Sequence, residues 1–449
     1  MNKDKRTSLV KKNIIFSFLT KGWSGVVQLL LVPITIACLG NYQNGVWMTI
    51  SSILIWIDSL DIGLGNGMRN RLAEHIAHDE YKEARQCVSS TFFMLIGIIL
   101  PLALLLDIAV IYIDLYRLLN INPTIVPNLS ATILIATSLV CTTFIFKFIG
   151  NVYLALQLPA VNNLLVVIGQ TLVLLSIWLL KECHVSSLYW VALLSTLSPL
   201  VVYLAAYPIT FCWKYPNLAP SIYFFDVATV REMLVIGLRF FILQMAGIIL
   251  FASSNIFISN LFSPDMVTPY QVAYRYFSIS MMLFTVIGVP FWSATTDAYQ
   301  RRDYQWIRKS HQRLNLIVWM IGGALIAMMV LSRPIYNLWV GSSVNVSSGL
   351  TVWMGIYLFI TIHSLSNSYF LNGIGAIQLQ MICTICAAVL YIPFAWLFSH
   401  VWGINGIAIA LCVVNLPGAV LNYFQLQLIL SHAQPDGTST LKLPTLWLK

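Results

Sequence analysis

Charge is what this chain lacks. Only 9% of its 449 residues are Asp, Glu, Lys or Arg, and 59% are hydrophobic. A soluble domain carries about 25% charged residues, because a globule in water needs them to cover its surface. A bilayer removes that need, since lipid-facing positions must be apolar. The mean hydropathy of +0.81 agrees. A soluble enzyme is therefore excluded, and the chain reads as a polytopic α-helical membrane protein.

Other absences narrow the function. No hydrophilic stretch is long enough to hold a soluble catalytic domain, and no long extracytoplasmic loop is present for a membrane glycosyltransferase, polymerase or ligase. No Walker A sequence occurs. Transport would then draw on an ion gradient (H+ or Na+), the substrate gradient or the membrane potential, worth about 2.3 kcal/mol per charge per 100 mV. Of eight cysteines, Cys383 and Cys386 form a CxxC, but in an uncharged stretch with no second pair. Small helix-packing residues are expected there, with no metal site or resident cofactor. Gly63-Leu64-Gly65-Asn66-Gly67 reads as a glycine-rich turn after a membrane helix, which is the wrong context for a dinucleotide fingerprint.

What is present is a series of apolar runs. A helix needs about 20 residues to cross the hydrocarbon, and twelve runs qualify: 13–38, 44–65, 87–112, 129–156, 161–181, 187–212, 230–262, 268–295, 314–340, 348–372, 377–400 and 403–430. The apolar segment after the basic N-terminus is too long for a signal peptide's core and lacks a clear cleavage site, so it reads as a retained first helix. From Arg333 to Asp436 no charged residue intervenes, and Asn372-Gly373 and Gly403 supply the punctuation. The net charge of +9 does not point to nucleic acid, because the charges lie in short segments between runs.

Those segments set an orientation, because Lys and Arg collect on the cytoplasmic side. With the N-terminus inside, eighteen of the 25 cations fall on cytoplasmic segments and three (Arg117, Lys181, Arg333) on the opposite side. Both termini are expected to be cytoplasmic. The chain also repeats itself. Residues 73–85 match 296–308 at a shift of 223, setting Glu74 on Asp297, Tyr81 on Tyr304 and Arg85 on Arg308. The expected division is a six-helix bundle over 1–213, a second over 214–430, and a tail over 431–449. Two such parallel repeats would be related by an axis along the membrane normal, with a substrate path between them. Segments 66–86 and 297–313 are expected to form amphipathic interfacial helices.

Charge inside a membrane helix costs about 2.5–3.5 kcal/mol at its centre, so such residues are functional candidates. Four cations qualify as cavity-lining candidates: Lys21, Lys147, Arg239 and Arg275. Asp58 and Asp61 are the clearest anions, three apart on one helix face, with Asp107 nearer a helix end. Lys21 and Asp58 lie at similar depth, so they form either a structural ion pair or a cation facing an anionic substrate beside a tuning or proton-carrying carboxylate. The 223 shift puts Gln244 opposite Lys21 and Met281 opposite Asp58, so an interior built from them is electrically asymmetric. Arg275 either snorkels to the outer interface or grips a phosphate with its fork of donors. His363 reads as a satisfied interhelical hydrogen bond in preference to a proton relay. Prolines at 33, 101, 199, 208, 290, 393 and 417 fall inside predicted helices, where each removes a backbone donor.

The stretch Asp61-Ile-Gly-Leu-Gly-Asn-Gly-Met-Arg-Asn-Arg-Leu-Ala-Glu74 resembles Wzx-type polysaccharide exporters, as do Leu154-Ala-Leu-Gln157 and Tyr336-Asn-Leu-Trp-Val-Gly341. With the repeat, the resemblance covers roughly residues 10–430. It implies the MATE-like fold of the multidrug/oligosaccharidyl-lipid/polysaccharide (MOP) superfamily and a bacterial inner-membrane location. It also implies flipping of an undecaprenyl-pyrophosphate-linked oligosaccharide for surface polysaccharide or O-antigen synthesis, with membrane lipids and polysaccharide polymerase or assembly proteins as partners. A drug or small-molecule antiporter of the same superfamily is the alternative. Intramembrane cations outnumber clear anions, which favours an anionic substrate.

Overall fold

The computed structural model describes residues 3–58, 64–156, 158–231 and 253–432. All regular structure among them is helical, as hydrocarbon demands of a chain that must pair its own peptide groups. The first element, α1 (Lys3–Asp58), would be about 84 Å long at 1.5 Å per residue, far more than one crossing needs. Gly40 divides it, with φ 70° and ψ 173°. That conformation is essentially confined to glycine. Two arms result where the sequence shows its first two runs.

Next come α2 (Leu64–Ala77), α3 (Tyr81–Tyr112), α4 (Leu115–Leu118), α5 (Leu129–Ala155), α6 (Pro159–Glu182) and α7 (Leu188–Pro208). Beyond residue 252 follow α8 (Pro264–Gln300), α9 (Tyr304–Val330), α10 (Ser332–Val340), α11 (Ser348–Ile374), α12 (Gln378–Trp402) and α13 (Ile404–His432). Among the described residues ten helices are long and apolar enough to cross a membrane. They account for every expected run but the seventh (230–262), most of which lies outside the described residues. Pro33, Pro101, Pro199, Pro208, Pro290, Pro393 and Pro417 all sit inside helices. A π-helical turn, Ile209–Lys214, follows Pro208.

The chain divides into two compact units: Met1–Ile248 with Ser259–Asp265, and Ile249–Ile258 with Met266–Lys449. Within the first, α3 packs on α5, α5 on α7, and α6 on α7 and α1. Within the second, α9 packs on α11, α11 on α13, and α12 on α13. The pairing order of α3, α5, α6 and α7 recurs in α9, α11, α12 and α13.

The repeat is visible bond by bond. Asp79 and Arg302, 223 apart, both adopt left-handed backbone, with φ 59° and 61°. The amides of Asp79, Glu80 and Tyr81 bond to the carbonyls of Ile76, His75 and Asp79; those of Arg302, Asp303 and Tyr304 bond to Tyr299, Ala298 and Arg302. Every partner is displaced by the same 223 positions. Arg85 and Arg308, paired by the sequence shift, act alike. Arg85 Nε donates to the Ala219 carbonyl at 2.9 Å, and its Cζ lies 4.6 Å from the centre of the Phe224 ring. Arg308 donates to the Leu430 carbonyl. In each unit an arginine on the third long helix holds the backbone where the sixth ends.

The segment after α7 is strapped along the start of α3. Ser89 and Ser90 hydroxyls accept from the amides of Ser221 and Asp226, and Gln86 donates to Thr229. Hydrogen bonds from the Thr229 hydroxyl and amide hold the Asp226 carboxyl below its ordinary range.

Three expectations are corrected. Residues 297–313 form no separate interfacial helix: α8 runs on to Gln300 and α9 starts at Tyr304, because the left-handed turn at Arg302 reverses the chain at once. Leu64–Gly67 are the first turn of α2 and not a loop. The boundary assigned to Asn372-Gly373 falls at Gly375 (φ 88°), and Gly373 serves packing instead: a Cβ there would lie 2.7 Å from Thr295 Cβ and 2.9 Å from the Trp292 carbonyl oxygen.

Two outcomes follow. Gly40→Ala should lower stability by about 1–3 kcal/mol, the usual cost of a side chain in this backbone region, read as a fall in thermal midpoint in detergent. Arg85→Ala and Arg308→Ala should each cost about 1.5–3 kcal/mol, the range for a hydrogen bond from a charged donor. The same assay, with Arg→Lys as a partial rescue, checks both.

Candidate functional site: a cavity in the first unit

Four helices of the first unit enclose a cavity of about 320 Å³. That is the lower end of the range for small-molecule sites, about 300–1,000 Å³. Helical spacing explains the lining. The second arm of α1 supplies Trp47, Ser51, Leu54 and Ile55; α5 supplies Val140, Thr143 and Lys147; α6 supplies Leu165, Val166, Gly169 and Gln170; α7 supplies Ser195, Thr196, Pro199 and Tyr203. Steps of three, four, seven or eight residues keep each set on one helix face.

The wall is mostly apolar, with a few polar groups on it. Lys147 is the one charged side chain among the described residues lining the cavity, and no carboxylate lines it. It lies eight residues from the Ala155 end of α5, about 12 Å along the helix. The Gln170 carbonyl oxygen accepts from Ser24 Oγ of the first α1 arm, which leaves the amide N–H groups as donors. Beside it Trp23 Nε1 donates to Thr171 Oγ1 at 3.1 Å. Thr143 and Thr196 donate to carbonyls one turn back, both at 2.8 Å, and keep their lone pairs as acceptors. Ser195 Oγ is closed off from solvent and has no hydrogen-bond partner among the described residues. Pro199, four residues on, has no N–H to give the Ser195 carbonyl. One turn of α7 therefore brings to the cavity wall a hydroxyl without a partner among the described residues and a carbonyl that lacks its usual donor four residues on.

The sequence candidates are distributed as follows. Lys147 lines the cavity. Arg275 belongs to the second unit, on α8, eleven residues from Pro264 and so about 16 Å from that end. Its Nε is closed off from solvent with no partner among the described residues. The backbones of Lys21 and Asp58 lie in α1, one in each arm; their side chains, and Asp61 and Arg239 entirely, lie outside the described residues. The Lys21–Asp58 pairing lies there too. Asp107 accepts from Ser138 Oγ at 3.0 Å, and its other carboxyl oxygen is buried without a partner. A search for charge alone overlooks Trp47, Ser51, Gln170, Ser195 and Tyr203, which are neutral. Proline four residues after serine in α7 was the available signal.

The MatE family model matches residues 240–397. A Salmonella typhi protein named "Putative O-antigen transporter" is 24% identical over 408 residues, 87% of this chain and 89% of that protein. One of the same name from Salmonella typhimurium is 21% identical over 88% and 91%. Among solved structures, the inward-facing form of a multidrug resistance MATE family transporter of the MOP superfamily superposes with a TM-score of 0.77, at 17% identity, over 95% of this chain and all of that one. The outward-facing form of such a transporter gives 0.65 at 18% identity.

The chain has the fold of the MATE transporters and is similar over most of its length to proteins named as O-antigen transporters. Its ten long apolar helices among the described residues mark a multi-pass membrane protein, and the relatives and structural neighbours that it matches are named as transporters.

The unpartnered hydroxyl of Ser195 has a measurable consequence. Ser195→Ala removes a buried group with no hydrogen bond, so stability should hold or rise by up to about 1 kcal/mol. Transport should fall. A thermal melt read beside a transport assay separates the two effects, and a large loss of stability would show that Ser195 is satisfied.

Proposed function

We propose that this protein flips a lipid-linked, undecaprenyl-pyrophosphate-type oligosaccharide from the cytoplasmic to the outer leaflet for surface polysaccharide or O-antigen synthesis. The observation that carries the reading is the sign of the cavity: Lys147 and no carboxylate among the lining residues described. An anionic phosphate finds a cationic side chain there. Trp47 and Tyr203 offer aromatic faces to a sugar ring; Gln170, Ser195, Thr143 and Thr196 offer the mixed donors and acceptors that hydroxyls need. The polyprenyl tail needs no cavity and stays in the bilayer.

Arg275 supplies a second cationic group along the proposed route. Its buried Nε supports a role in the protein interior, since snorkelling keeps a guanidinium head in water. The relatives named as O-antigen transporters support the substrate class. The multidrug transporters among the structural neighbours share the fold, and a cationic drug would meet Lys147 as a like charge. The headgroup is taken up from the cytoplasm with both termini on that side, the bundles 1–213 and 214–430 alternate in their access, and proline-bent helices accommodate the change. A proton or sodium gradient drives the cycle, and polymerase or assembly proteins receive the product.

Reconstituted protein with a fluorescent polyprenyl-pyrophosphate oligosaccharide tests this. Lys147→Ala should slow flipping at least about tenfold, as loss of about 1.4 kcal/mol or more requires; Lys147→Arg should retain much of it, and Arg275→Ala should also slow it. A wild-type protein that leaves this lipid unflipped but extrudes a lipophilic cationic dye would overturn the proposal in favour of drug export.

A further inference from the structure

Membrane helices α9, α11 and α13 of the second unit share a buried polar row that the cavity of the first unit does not explain. His311 of α9 is 4% exposed, and its Nε2 lies 3.0 Å from Asn367 Oδ1 of α11, itself 1% exposed. Asn367 Nδ2 donates at 2.8 Å to the carbonyl of His363, one turn earlier. With the amide N–H so engaged, its oxygen faces His311, and Nε2 must be the protonated nitrogen that donates. Neutral His311 then keeps its free lone pair on Nδ1.

Tyr423 of α13 stands near both imidazoles, its ring centre 6.3 Å from His311 and 5.9 Å from His363. Asn422 beside it donates to Ser364 and Ser368, at 3.3 and 3.5 Å, and its carbonyl oxygen is buried without a partner. The row therefore has an acceptor in reserve.

We propose that His311 and His363 form a proton-binding pair, joined by Asn367 and Tyr423, that takes up the proton to which transport is coupled. The proton adds to His311 Nδ1, and no bond breaks. The imidazolium keeps its Nε2–H···O bond to Asn367, which strengthens as the donor becomes charged. Two imidazolium groups in an apolar interior repel, so the pair takes its protons in two separated steps.

The surroundings fit one mobile charge. Between Arg333 and Asp436 the chain carries no Asp, Glu, Lys or Arg, so α11 and most of α13 offer His311 no fixed counter-ion. From α11 it meets Asn367, and from α13 the Tyr423 ring, with His363 of α11 against the same ring. Across Phe370, which contacts both His311 and Phe291, α8 has no ionisable residue between Tyr276 and Asp297. On α9 itself Arg308, Lys309 and Arg313 stand near the helix start, with Arg308 held by Leu430. Depth orders the pair: His311 is seven residues, about 10 Å, into α9 from Tyr304, whereas His363 is eleven residues, about 16 Å, from the Ile374 end of α11.

The test uses the full chain in lipid nanodiscs with 15N-labelled histidine, following each imidazole by NMR as pH is lowered. The imidazole that titrates second should move its midpoint up by about one pH unit or more when its partner is replaced, in His311→Gln or His363→Gln, since both rings flank Tyr423 and charges at most about 12 Å apart in a partly polar interior repel by at least that much. Asn367→Ala keeps both imidazoles, removes the acceptor and should lower the His311 midpoint, so the inference stays testable if a histidine variant fails to fold. Midpoints that ignore all three substitutions, or imidazoles that stay neutral throughout, overturn it.

In liposomes carrying the polyprenyl-pyrophosphate oligosaccharide, an imposed proton gradient should accelerate flipping by the wild type, and the ratio of rates with and without the gradient should fall to about one in His311→Gln. A ratio kept at the wild-type value removes the coupling role. Failure of the wild type to flip this lipid would count against the proposed substrate, and the NMR titration would still decide the proton pair.

Discussion

Hydrocarbon gives a peptide group no water to bond with, and the architecture follows from that constraint. Each amide and carbonyl must find its partner within the helix, so a chain this poor in charge becomes a row of helices. The polar side chains obey the same rule. Thr35, Thr49, Ser52, Thr91, Thr132 and Thr143 each donate to the carbonyl four residues earlier. A hydroxyl satisfied in this way can sit in an apolar helix at little cost. Against that background the groups left over stand out: the Ser195 hydroxyl, Nε of Arg275, one oxygen each of Asp107 and Asn422. Buried polar groups without partners are rare enough that each calls for a reason.

Proline works through the same accounting. Within α7, Pro199 withholds a donor from the very residue whose hydroxyl is also unpartnered. Gly169 of α6 faces it, its missing Cβ placed 3.4 Å from Pro199 Cα, so the two helices approach closely beside the cavity. A proline in a membrane helix thus does more than bend it; it removes the donor that the carbonyl four residues earlier would otherwise meet.

Duplication explains why the two units share a pairing order and why it is most exact at the turn between the second and third helices of each. A left-handed residue followed by an N-cap and a tyrosine is a local solution that tolerates almost any side chain. Asp79 and Arg302 have opposite charges and the same φ. Arg85 and Arg308 keep both identity and task, because a long charged donor is what reaches a helix-end carbonyl across the bundle. The halves have diverged where chemistry is done: Lys147 and its cavity in one, the imidazole row in the other.

Much of this was legible in the sequence. The number and place of the apolar runs, the prolines inside them and the 223-residue shift follow from hydropathy and spacing, because the bilayer imposes one element type of one length. Local reading failed where tertiary contact decides. Asn372-Gly373 looks like a turn, yet Gly373 is small because α8 lies against it, and the chain turns two residues later. His311 sits in a segment read as interfacial, since nothing in the sequence says that α9 begins at Tyr304 and buries it against Asn367. Charge pointed to Lys147, but that it shares a cavity with Trp47, Gln170 and Ser195 depends on how four helices rotate about their axes. Rotation is set by the packing of whole faces, and a single run of apolar residues leaves it open.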